Sequence, residues 1–337
     1  MEKLKRLGGQ TVEFTSFPTV IGYAAVVGPK EAEGPLGKWF TETEEDPMLG
    51  QESWEKAESA LFAKAVNSCL KKSKLTPESV NFIVAGDLLN QCTASSFGLR
   101  DLGVPYLGIY GACSTMAEGL SVSAMLVDGG YAGHVIATAG SHFCSAEKQY
   151  RFPLEYGGQR PPGAQWTVTG CGAVSLGYGG NIKITHATTG RIADMGVQDA
   201  NNMGAAMAPA FVSTLLAHFQ DTGKTPKDYD LIVSGDLGSI GHALAVELLK
   251  KEGVTLGDNY KDCGMLIFDS QTQDTHAGGS GCGCSASVLC GYLLPQMETK
   301  KINRLLFVAT GALLSPTTTL QGESIPSIAH AVSFETL

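Results

Sequence analysis

Apolar residues recur at helical spacing over residues 54–72 and again over 201–219. Each stretch runs through a Thr-Pro helix start into a short apolar strand that ends at Gly-Asp. The first copy reads Leu75-Thr76-Pro77-Glu78-Ser79-Val80-Asn81-Phe82-Ile83-Val84-Ala85-Gly86-Asp87-Leu88, the second Lys224-Thr225-Pro226-Lys227-Asp228-Tyr229-Asp230-Leu231-Ile232-Val233-Ser234-Gly235-Asp236-Leu237. Further on, Gly111-Ala112-Cys113-Ser114 opens a helical pattern to Gly130, and Cys282-Gly283-Cys284-Ser285 opens one to Met297. Both lead into apolar strands, 134–139 and 304–309. The turns that follow, Gly140-Ser141 and Gly311 to Ser315, lie where α/β sheets tend to carry site loops. One order of elements met twice predicts a duplicated α/β chain, with its halves over residues 1–180 and 181–337.

Around this repeat the pattern predicts strands at 19–27, 106–110 and 328–334 and helices over 93–102 and 242–251, with the second half starting near 181–184. The acidic, Gly- and Pro-bearing stretch 28–51 reads as a surface loop, and the residue-rich stretch 141–166 as a loop insertion over the site. No linker separates the halves, which predicts one body with two sheets packed through shared helices.

Composition narrows the class. At 337 residues, 43% apolar and with 42 glycines, the chain can bury a large core and make many tight βα turns. A formal charge of −9 without a basic stripe argues against nucleic acid and against purely electrostatic membrane binding. The 9 cysteines, an odd number scattered through apolar segments, read as reduced thiols. Residues 1–14 show no signal-peptide core, and no run of about 18 apolar residues spans a bilayer, so any membrane location would come through partner proteins.

Cys113 follows an apolar strand and opens an apolar helix. Free N–H groups and the helix dipole at that place favour a thiolate or another anion. Cys282-x-Cys284 lacks the second ligand pair of a structural zinc site, and the run from Gly278 to Gly283 lacks the Lys-Ser/Thr of a phosphate loop. No metal site or cofactor is predicted.

In these features the chain resembles the thiolase superfamily, which includes the ketoacyl-carrier-protein synthases. The resemblance implies a layered α/β/α/β/α fold of two similar halves, with the nucleophilic cysteine at the position of Cys113. It also implies a His or Asn just after the strand matching 231–233, and another in the Gly-rich turn matching 277–287, to activate the thiol and hold the thioester oxygen. The sequence departs here: neither Ser234-Gly235-Asp236-Leu237-Gly238-Ser239 nor Gly278-Gly279-Ser280-Gly281-Cys282-Gly283-Cys284-Ser285 holds either residue. Condensation is expected to be lost while the cleft survives. The rival expectation is an active acyltransferase with Cys113 as nucleophile and His242 or His276 recruited as base.

Longer strings, from Gly111 to Gly119, Ser141 to Pro153, Gln165 to Gly170 and Val233 to Gly238, are similar to a thiolase-like family of stage V sporulation proteins. That family serves the membrane machinery moving dipicolinic acid in endospore-forming bacteria. The resemblance implies non-catalytic binding of dipicolinic acid, free or as its calcium chelate, with any calcium brought by the ligand. It also implies peripheral attachment to the inner spore membrane through other stage V subunits of the same operon, and a homodimer formed through the strand at 106–110. A planar dianion would be met by guanidinium forks, a helix N-terminus and aromatic walls. The expected set is Cys113, Arg151 and Arg160 as the best cations, Lys148 and His142 close in sequence, and Tyr150 or Phe152 for stacking. Asp87 and Asp236 end the repeated strands. Each either caps the next helix or contacts the ligand or its calcium.

Overall fold

A computed structural model describes residues 4–150 and 159–337. The first-half strands are β1 (Thr11–Glu13), β2 (Thr19–Val27), β3 (Glu42–Thr43), β4 (Phe82–Gly86), β5 (Tyr106–Gly108), β6 (Val135–Ser141), β7 (Trp166–Thr167) and β8 (Gly170–Gly177). Those of the second half are β9 (Ile182–Thr189), β10 (Leu231–Ser234), β11 (Tyr260–Asp262), β12 (Gly279–Ser280), β13 (Arg304–Ala312) and β14 (Ser327–Thr336). The α-helices are α1 (Pro29–Ala32), α2 (Trp54–Ser73), α3 (Thr93–Leu99), α4 (Thr115–Asp128), α5 (Phe143–Tyr150), α6 (Met203–Thr222), α7 (Gly238–Lys251), α8 (Cys263–Ile267), α9 (Cys282–Val288), α10 (Leu294–Glu298) and α11 (Pro316–Leu320).

The two halves repeat one strand order. From its outer edge the first runs β5-β4-β6-β8-β2 and the second β11-β10-β13-β14-β9. In each, the outer three strands are parallel and the inner two antiparallel. The expected pair of separate sheets is in fact one continuous ladder. β2 and β9 share the short pairing Thr19↔Lys183 and Val20↔Ile182, beside the register shift between Val20 and Gly22. A bulge of that kind bends a strand and turns its end toward a new neighbour.

Five layers follow from which faces are apolar. α2 packs on β2 and β8 outside the first half and α6 on β13 and β14 outside the second, while α4 lies between, touching β4 and β6 as well as β13 and β14. α4 is therefore apolar on nearly every side: Met116, Leu120 and Ala124 are fully buried with Ile184, Phe307 and Phe334. α9 sits directly on the strand backbone. A Cβ at Gly172 would come within 2.4 Å of the Ala286 carbonyl oxygen, and one at Gly283 within 2.4 Å of that of Gly170.

Side-chain caps start the outer helices: Ser53 Oγ accepts from the Lys56 N–H ahead of α2, and Asn202 Oδ1 from the Ala205 N–H ahead of α6. The two Thr-Pro signals each begin a single 3₁₀ turn, Pro77–Ser79 and Pro226–Asp228, not a longer helix. The helical run after Cys282 continues through a π turn at Leu289–Leu293 into α10. The stretch 141–166 is not the expected loop throughout, since its first part is α5, with Phe143, Ala146 and Tyr150 on one face. The surface loop 28–51 likewise holds α1, the turn Gly37–Trp39 and β3.

Candidate functional site

Cys113 occupies the 3₁₀ turn Ala112–Ser114 between β5 and α4, with Ala112 in the left-handed region at φ 50°. The turn is tied locally: Ser114 Oγ donates to the Gly111 carbonyl at 2.6 Å and Thr115 Oγ1 to that of Ala112 at 2.6 Å. The second half closes on it from above, because Gly311 abuts the Gly111 carbonyl and Ser285 Oγ donates to that of Cys113 at 3.4 Å.

Asp236, fully buried just past β10, joins these pieces. Its carboxylate accepts from Thr310 Oγ1 at 2.9 Å, the Gly281 N–H at 2.9 Å and Ser280 Oγ at 3.0 Å, and its charge acts on the neighbouring thiol of Cys113. Burial raises its pKa to about 6 against those donors. The thiol of Cys113 is driven well above its ordinary range, first by burial and then by the Asp236 charge. At Cys113, a residue only 5% exposed, burial and the neighbouring carboxylate work against the thiolate that a helix start would favour.

Beside the thiol lies a cavity of about 30 Å³, room for about one water, lined by Leu88, Tyr110, Ala112, Cys113, Tyr150, Met203, Ser280, Ala312 and Leu314. Outside it is a cleft of about 290 Å³ that shares Tyr110, Tyr150 and Leu314 and adds Leu89, Asn90, Gln91, Cys92, Leu313 and Ser315. The phenol oxygens of Tyr110 and Tyr150 lie 3.2 Å apart on the boundary.

The structure thus brings Cys113, Asp236 and Tyr150 together and places the other expected residues elsewhere. Asp87 accepts from the N–H groups of Leu89 and Ser95 and from Ser95 Oγ, closing the approach to α3. His142 bonds the Pro47 carbonyl at 2.7 Å and packs on Trp54, and burial lowers its pKa. Lys148 pairs with Glu55 at 3.1 Å, lining a cleft of about 280 Å³ next to the 290 Å³ one. Arg160 pairs with Asp274 and lies over the ring of Trp166. Arg151 and Phe152 fall outside the described residues.

Neither candidate base lines the cavity. His242 stacks on Tyr260 at 4.4 Å, and His276 is held by Asp274 and the Pro161 carbonyl. Cys282 and Cys284 donate to the carbonyls of Gly140 and Gly235 inside the core. Among the described residues, no group of three His, Cys, Asp or Glu side chains is placed to hold a metal ion.

Sequence reasoning missed Tyr110, Ser280, Ala312 and Leu314. Tyr110 closes the predicted strand 106–110. The others fall in the Gly-rich run and the turn 311–315 that the repeat had marked, so position within the repeat was the available signal.

A cysteine at a strand-to-helix turn between two duplicated halves is the architecture of thiolase-like enzymes, and solved members superpose over almost the whole chain. 3-Oxoacyl-(acyl-carrier-protein) synthase III from Aquifex aeolicus VF5 matches with TM-score 0.57 at 13% identity, covering 94% of this chain and 99% of that one. A variant of OleA from Xanthomonas campestris matches with TM-score 0.59 at 12% identity, covering 97% and 100%. At such identity the likeness is one of fold. The chain belongs to the stage V sporulation protein AD (SpoVAD) family, whose model matches residues 8–335. Stage V sporulation protein AD of Bacillus subtilis (strain 168) is 45% identical over 333 residues, 98% of each chain.

Proposed function

We propose that this chain binds dipicolinic acid, free or as its calcium chelate, without catalysing a reaction on it, as a subunit of the spore machinery that moves the compound across the inner membrane. The observation that carries the non-catalytic part is the fully buried Asp236 carboxylate beside the buried Cys113. Acyl transfer needs a thiolate and donors aimed at a developing oxyanion. Here burial and the Asp236 charge push the thiol's pKa up, and that charge would repel such an oxyanion. What remains is a cleft with aromatic walls, and 290 Å³ suits a small planar acid. Arg151, next in sequence to Tyr150, is the cation proposed to meet the ligand there.

Attachment to the inner spore membrane would run through other stage V subunits. In keeping with this, no helix among the described residues is long and apolar enough to cross a bilayer. Pairing of two copies through β5 is proposed likewise, since β5 is an edge strand and Leu107 on it is exposed. Light scattering that returned a monomer at micromolar concentration would remove the dimer.

Calorimetric titration with dipicolinate, with and without calcium, tests the ligand reading, with the isomer bearing displaced carboxylates as control. Saturable binding of dipicolinate over the isomer is the expected result. If nothing binds while Cys113 accepts an acyl group from a thioester, the chain is an acyltransferase instead.

A further inference from the structure

The pocket beside Cys113 measures only about 30 Å³, so a ligand the size of an aromatic acid reaches the thiol only by displacing a wall. Tyr110 and Tyr150 are the wall between that cavity and the outer cleft. Tyr150 ends α5, and its hydroxyl donates to the Leu88 carbonyl. In the 3.2 Å contact between the phenols, Tyr110 is therefore the donor and Tyr150 the acceptor. The ring of Tyr150 is held by the rest of its helix, through Lys148 on Glu55 and Gln149 on Asn90. Tyr110 sits in the short turn between β5 and Cys113, 43% exposed.

We propose that these two phenols are a carboxylate clamp and a gate. A carboxylate of an aromatic acid in the outer cleft accepts from both hydroxyls, replacing the Tyr110–Tyr150 bond and the bond to Leu88, and the displaced rings open the inner cavity toward Cys113 and Ser280. The clamp rests on the ligand reading above; the gate stands on the geometry alone. A phenol O–H bond to a carboxylate is shorter and stronger than one to a neutral oxygen, so the exchange is favourable for an anion and not for an uncharged ring. Two hydroxyls about one hydrogen bond apart match the two oxygens of a single carboxylate. Burial holds the Tyr110 phenol up at about 12, so it remains a donor at physiological pH. The flanking rings then face the planar acid they hold.

Tyr110→Phe, Tyr150→Phe and the double variant keep the rings and remove the hydroxyls. Two readouts apply to the full chain: calorimetric affinity for dipicolinate, and the rate at which N-ethylmaleimide labels Cys113 in ligand-free protein, followed by peptide mass spectrometry with half-buried Cys144, which lines neither space, as internal reference. Each single variant should bind dipicolinate roughly tenfold to a hundredfold more weakly, the range of a charge-assisted hydrogen bond. The double variant should label at Cys113 at least tenfold faster than the wild type, with Cys144 unchanged. Wild-type affinity in both single variants overturns the clamp, and equal Cys113 labelling overturns the gate. A wild type that binds no dipicolinate overturns the ligand reading and the clamp together, while the labelling still decides the gate.

Discussion

Asp236 gathers groups from two elements that are distant in sequence, Ser280 and Gly281 at β12 and Thr310 on β13, with the thiol of Cys113 nearby. Replacing it by Ala leaves buried donors unmet, each costing about 1–3 kcal/mol. Asp236→Ala should therefore lose roughly 4 kcal/mol in urea denaturation, and Asp236→Asn, which restores one acceptor oxygen, about half of that. Equal stability of the Ala variant and the wild type would mean that the Asp236 hydrogen bonds are not what holds β10, β12 and β13 together here. The sequence exposed this residue as the end of a repeated strand but left open whether it caps a helix or touches ligand, because its partners lie far along the chain. Asp87, its counterpart in the repeat, does close a local turn at Ser95. The repeat thus carries the position of an acid and not its partners.

At Gly172 of β8, α9 meets the strand backbone against backbone. The atoms nearest a Cβ at Gly172 are the backbone oxygen and carbon of Ala286, at 2.4 and 2.6 Å, which cannot swing aside as a flexible side chain would. Gly172→Ala should cost about 2 kcal/mol by forcing the layers apart. Gly133→Ala, where only Asn81 Oδ1 approaches at 3.7 Å, should be neutral or slightly stabilising. Thermal melts of the two variants side by side check this, and similar midpoints would refute the tight contact. Elements with strong apolar period, such as α2, α4 and β13, stand close to where the sequence put them. β8 escaped notice because Gly170-Cys171-Gly172-Ala173 lacks the bulky β-branched residues that signal a strand, and its small residues are what admit α9. α5 was hidden by its neighbours: the spacing of Phe143, Ala146 and Tyr150 is helical, but the Pro- and Gly-bearing residues that follow drew the whole stretch into a loop reading.

On the scale of the whole molecule, buried titratable groups pull stability in opposite directions with pH. His186 on β9, His218 on α6 and His330 on β14 are buried in the second half, and burial lowers them to about 4, 3 and 4 from the ordinary 6.5. Between those values and 6.5 the unfolded chain binds more protons than the native one. Their contribution to stability is therefore present above 6.5 and is lost as the pH falls through the window. Glu31 and Asp236 behave oppositely. Burial raises them to about 7 and about 6 from 4.5 and 3.8, so their contribution is full below the unfolded values and fades as pH rises through the folded ones. The two sets offset each other from about pH 5 to 6.5. Below about pH 3.8 the carboxylates have given all they can, while His218, lowest of the three, goes on destabilising. The single histidine that isolates this effect is His330, which is hydrogen-bonded only as an acceptor, from the Gly190 N–H at 3.3 Å. His330→Gln retains an acceptor without the titration. Its stability relative to the wild type should rise as the pH is lowered from 7 to 4, by about 2–3 kcal/mol over the window. Urea denaturation at unit pH steps reads it directly. A difference that stays constant with pH would mean His330 titrates alike in the folded and unfolded chain, and that the acid sensitivity of the second half has another source.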